Sequence, residues 1–104
     1  MPPYNFKYMT MVSGETVQQD FVFSCKSEAM QWLKEVGNIK AMAASLHDER
    51  EHTSKTNQEL YTPWLEMVSS FRGKWGTEFM AKDVVFAEED IRANIGQAVV
   101  VFEE

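Results

Sequence analysis

Between residues 4 and 23 the side chains alternate in character with a period of two, the period of a β-strand. A two-residue turn at Ser13-Gly14 pairs the halves of this stretch. Val12 then faces Glu15, Thr10 faces Val17, Tyr8 faces Gln19, Phe6 faces Phe21 and Tyr4 faces Phe23. That face is mostly aromatic and β-branched, as a sheet face lying on a core should be. The other face pairs Asn5 with Val22, Lys7 with Asp20, Met9 with Gln18 and Met11 with Thr16. Opposite charges at Lys7 and Asp20 support this register, and a slip of one residue would turn the aromatics to the wrong side.

After Ser24, a suitable N-cap, the period changes. Cys25, Ala29, Trp32, Val36, Ile39, Ala43 and Leu46 follow one another at alternating four- and three-residue spacings, a helical stripe. Met30, Leu33 and Met42 widen it. Gly37 interrupts this run and weakens a helix by about 1 kcal/mol relative to Ala. It is expected either to let the helix approach the sheet closely or to mark a bend. From His47 to Asn57 there is no apolar residue, so the helix is expected to run out into solvent. Thr62-Pro63 marks the start of a second helix, with Leu60, Trp64, Met67, Val68 and Phe71 on one face and Gly73 as its stop.

The stretch 74–82 is ambiguous. Val84-Val85-Phe86 predicts a strand over 83–87. Glu88-Glu89-Asp90 opens a short helix anchored by Ile91 and Ile95 and ended by Gly96, its acids suiting the positive end of the helix dipole. The run Val99-Val100-Val101 predicts a last strand over 97–102. The expected fold is a single α+β domain over residues 1–104. Its sheet is mostly antiparallel, with about four strands (the N-terminal hairpin plus two C-terminal strands), and two main helices pack on one face.

A chain of 104 residues can bury about two-thirds of its unfolded surface without a disulfide or a metal. The single cysteine, Cys25, excludes an internal disulfide and fits a reducing compartment. Met-Pro-Pro-Tyr lacks a basic region followed by an apolar run, so no secretory signal is expected, and no segment has the length of a membrane span. The expected location is cytoplasmic. The net charge of −6 is uneven: from residue 83 onward six acids face Arg92 alone, whereas the remainder carries ten acids and nine bases. This disfavours direct binding to nucleic acid, which needs clustered Lys and Arg, and is compatible with a basic protein partner.

Chemistry-bearing residues are few. His47 to His52 is the only cluster of metal-capable side chains, but its histidines are five residues apart and point in different directions on a helix, so no metal or cofactor is expected. Cys25 at a helix N-terminus has the setting of an activated thiol, yet it also begins the apolar stripe, where cysteine acts as a small hydrophobe. Trp32 and Trp64 read as core. Trp75, between two glycines and beside Arg72 and Lys74, suits either the core or a protein interface. Met9 and Met11, with Val22, mark the outer face of the hairpin as a contact surface, including for a second copy of the chain.

The expected function is that of a small, acidic, non-enzymatic interaction protein, an inhibitor or adaptor of the kind phages and mobile elements encode. It would act by covering a basic surface on a partner protein. The expected contact residues are Glu88, Glu89, Asp90, Met9, Met11, Val22 and Trp75, and homodimerisation through the hairpin is a further expectation. The alternative is a small-molecule-binding protein or small enzyme with a pocket between sheet and helices. Tyr4, Tyr8, Tyr61 and Trp64 would line that pocket, with Gln19 as an inward amide needing partners.

Overall fold

The computed structural model describes the backbone of residues 2–103 and the side chains of residues 2–95. Strands β1 (Tyr4–Val12) and β2 (Glu15–Phe23) form the hairpin, in the register that the alternation dictates, from Tyr4 opposite Phe23 to Val12 opposite Glu15. Ser13 and Gly14 have φ of 52° and 84°. Positive φ at both central residues gives the turn the twist that two-residue hairpins need.

Three helices follow: α1 (Lys26–Glu49), α2 (Asn57–Trp75) and α3 (Lys82–Glu103). Short 3-10 turns at Arg50–His52 and Thr77–Phe79 join them. The predicted stripe of α1 is the buried one, with Ala29, Trp32, Val36, Ile39 and Ala43 inward. Trp32 sits under the hairpin against Phe6, Tyr8, Phe21 and Phe23, and meets Phe71 of α2 on its far side. Its indole N–H donates to the Phe79 carbonyl at 2.9 Å, so the one polar atom of this wholly buried side chain is satisfied. α2 runs antiparallel to α1. Tyr61 meets His47, Trp64 donates to the Ile39 carbonyl, and Trp75 donates to Glu35, so rising numbers on one helix meet falling numbers on the other.

The four-strand expectation is corrected. The described residues hold one two-stranded sheet, and both expected C-terminal strands, over 83–87 and 97–102, lie within α3. A short apolar run cannot be told from a buried helix segment by its periodicity. Here Val84, Ala87, Ile91 and Ile95, at spacings of three and four, form the inward or half-inward stripe of a helix. The helix does not stop at Gly96, and the fold has three long helices, not two. The side chains of Val99, Val100, Val101, Glu103 and Glu104 lie outside the described residues.

Two helix limits also differ. α2 starts at Asn57, six residues before Pro63, because Thr56 and Glu59 form a reciprocal capping box. The Thr56 hydroxyl accepts from the Glu59 N–H at 3.1 Å, and the Glu59 carboxylate accepts from the Thr56 N–H at 3.2 Å. α2 ends at Gly76, not Gly73. Gly76 has φ of 100°, and a Cβ there would stand 2.7 Å from the Glu78 carboxylate. α1 continues through Gly37, and Gly37 is not a point of close approach to the sheet, since the space where its Cβ would project is open.

Candidate functional site

The hairpin divides the expected contact residues from the core by simple alternation. Every residue on its outer face is exposed, and Met9, Met11 and Val22 are 61%, 63% and 57% accessible. Met9 and Met11 adjoin at the turn end. Val22 stands opposite Asn5, with the Lys7–Asp20 row in between, so it is roughly 13 Å from Met9 along the strands at 3.4 Å per residue. The face therefore carries a methionine pair and a separate valine.

α3 sorts its acids by helical phase. Asp83 and Glu88 turn inward, while Glu89 and Asp90 are exposed. One oxygen of Asp83 accepts from the Tyr8 hydroxyl at 2.8 Å, from the Thr10 hydroxyl at 2.8 Å and from the Lys40 ammonium at 2.7 Å. Burial raises the Asp83 carboxyl, but the donors Lys40, Tyr8 and Thr10 outweigh it and hold the pKa below the usual carboxylate value. The same contact with Asp83 raises Lys40. This cluster ties β1, α1 and α3 together.

Glu88 is the buried charge of the described residues, 6% exposed. Arg72 of α2 reaches it with two nitrogens, at 2.7 and 3.3 Å, and Arg92 adds a third contact at 3.4 Å. The Arg72 hydrogen bonds lower the Glu88 pKa more than burial raises it. Glu88 thus pins α3 to α2 and is not presented to solvent.

Trp75 is half-buried, packed edge-on against Phe23 and tilted against Phe71, with its N–H donated to Glu35 at 3.1 Å. Gln19 is saturated by backbone. Its amide donates to the Met80 carbonyl at 3.1 Å and accepts from the Lys82 N–H at 2.8 Å, fastening the connector before α3 beneath β2. The partners that this inward amide needs are the backbone groups of Met80 and Lys82.

Cys25, not Ser24, is the N-cap of α1, and it is exposed instead of opening the buried stripe; its thiol pKa is lowered by the Ser27 hydroxyl and by the backbone N–H of Glu28. His47 is tied to Tyr61 at the other end of the helix. Among the described residues no three His, Cys, Asp or Glu side chains converge as a metal site, and no helix is long and apolar enough to cross a membrane. Two shallow grooves flank α1. One of about 180 Å³ lies against α2, lined by Glu35, Asn38 and Ser70, and one of about 270 Å³ lies against α3, floored by Ala43, Trp64 and Ala87.

These features define an α+β protein with a two-stranded hairpin and three helices, in which two acids of α3 are matched internally by cations. No family model, no curated protein and no solved structure matches the chain.

Proposed function

We propose that the protein is a small non-enzymatic interaction module that binds a basic surface of a partner protein, as an inhibitor or adaptor. The observation that carries this reading is the sorting of charge on α3. The inward acids Asp83 and Glu88 are matched by Lys40, Arg72 and Arg92, whereas the outward Glu89 and Asp90 have no ion pair among the described residues. A charge displayed in that way steers a cationic partner and raises its on-rate. Met9 and Met11 supply an adaptable apolar contact, and Val22 a second, separate one. The same face offers a route to a homodimer.

The test is capture from the source cell followed by association kinetics with the captured partner over a salt series. Replacing Glu89 and Asp90 by Gln should slow association and flatten its salt dependence, with the fold unchanged. Unaltered kinetics at every salt concentration would refute the charged contact. Sedimentation of the wild type against a Met9→Lys, Met11→Glu variant decides the homodimer. A dimer that becomes a folded monomer supports it, and a wild-type monomer at high concentration removes it.

A further inference from the structure

The hairpin has a free edge, and the free edge has an apolar floor. The closing pair Val12–Glu15 spans a two-residue turn, so the hydrogen-bonded pairs of the ladder are 12–15, 10–17, 8–19, 6–21 and 4–23. The N–H and C=O groups of Asn5, Lys7 and Met9 consequently point away from β2. Among the described residues no strand or other backbone group pairs with them.

The side of α1 under this edge is also bare. Lys40, on that side of the helix, reaches Tyr8 of β1. Glu35, on the other side, meets Lys74 and Trp75 of α2, and Trp75 packs on Phe23 of β2. The stripe Met30, Leu33 and Gly37 shares the flank of Lys40. Met30 and Leu33 are each 37% exposed, and nothing lies within 4 Å of where a Gly37 Cβ would be. The charge on the edge side is positive: Lys7 is on β1 and Lys26 shares the phase of Leu33 and Gly37 on α1, whereas Asp20, the acid facing Lys7, stands on β2 away from the edge. Lys7, Lys26 and Lys34 are exposed, and no ion pair engages them among the described residues. Two copies of the chain joined at this edge would bring these lysines together, which disfavours a second copy as the occupant.

We infer that the β1 edge at Asn5–Met9 receives an extended segment of a partner protein, one that alternates apolar and acidic residues. The segment adds a third strand by backbone hydrogen bonding. Its apolar side chains turn inward onto Met30 and Leu33 and into the space over Gly37, and its acidic side chains turn outward beside Lys7. This surface is distinct from Glu89 and Asp90 on α3 and opposite to them in charge, so each can fail independently.

The experiment is an NMR titration of the labelled full chain with the peptide acetyl-Thr-Val-Glu-Val-Glu-Val-Thr-amide at up to millimolar concentration. Saturable shifts are expected at the Asn5, Lys7 and Met9 amides and the Met30 and Leu33 methyls, with amide exchange at the three edge positions slowed about tenfold. The same peptide with Lys for Glu should bind about tenfold more weakly. Lys7→Pro removes an outward N–H that the hairpin does not use, and should abolish binding while cross-strand contacts persist. Leu33→Glu, on the exposed side of α1, provides the same test without touching the hairpin. Absence of saturable change at the edge amides, equal binding of the two peptides, or full binding by both variants would overturn the inference. Unchanged binding by a Glu89→Gln, Asp90→Gln variant would support it.

Discussion

Trp32 joins three parts of the fold, and its replacement separates two kinds of energy. The side chain is wholly buried, touches four aromatic rings of the hairpin and one of α2, and donates its N–H to the Phe79 carbonyl. Trp32→Ala removes all of this and should cost about 3–5 kcal/mol from packing alone. A domain of this size holds about 5–15 kcal/mol in total, so that variant is close to the limit of folding. Trp32→Phe is the more informative change. It keeps most of the ring contact but leaves the Phe79 carbonyl without its donor, and should cost about 1–3 kcal/mol. With an unfolding entropy near 2.1 cal/mol/K per residue, each kcal/mol is about 4–5 °C, so the expected fall in Tm is roughly 5–14 °C. Urea titration should show a lower midpoint with an unchanged slope. A Trp32→Phe loss under about 0.5 kcal/mol would refute the structural role of the indole bond. A Trp32→Ala loss under about 1 kcal/mol would refute the hairpin-on-helix core itself.

Glu88→Ala leaves Arg72 facing a vacated buried site and should destabilise by about 2–4 kcal/mol in urea, whereas Glu88→Leu with Arg72→Met should end near neutral. Gly37→Ala meets nothing in the fold and should stabilise by about 0.5–1 kcal/mol, read as a small rise in Tm. Asp83 and Glu88 have depressed pKa values in the folded protein, so their contribution is present above the usual carboxylate pKa of about 4 and is lost as pH falls through the lower folded values. Lys40 and Tyr8 are raised, so their contribution is intact below about pH 10 and is lost as pH climbs through the higher folded values. Chemical denaturation over a pH series should show the acid fall below about pH 4, and Asp83→Asn should diminish it.

The hairpin was legible in the linear sequence down to its register, because strand alternation and a Ser-Gly turn are local signals and a slip would turn the aromatics of a strand to the wrong side. The buried stripe of α1 was legible from Ala29 to Ala43, because those positions keep one helical phase, but Cys25, read as its first member, is an exposed cap ahead of the helix. The start of α2 is written at Thr56 and Glu59 as a capping box, ahead of the Thr62-Pro63 start signal. The C-terminal third was not legible in the same way. Val84-Val85-Phe86 and Val99-Val100-Val101 suit a strand by local preference, but over 84–95 the burial of Val84, Ala87, Ile91 and Ile95 on one helical phase outweighs propensities of a fraction of a kcal/mol per residue. Helical phase then decides what each acid does. Glu88 becomes a buried anchor beside exposed Glu89 and Asp90, a distinction that adjacent acids in a sequence do not carry. The meeting of Tyr8, Thr10 and Lys40 on Asp83 spans more than 70 residues, and the free β1 edge exists because no other strand covers it. Both depend on which surfaces come together in three dimensions, and local sequence encodes only the elements that supply those surfaces.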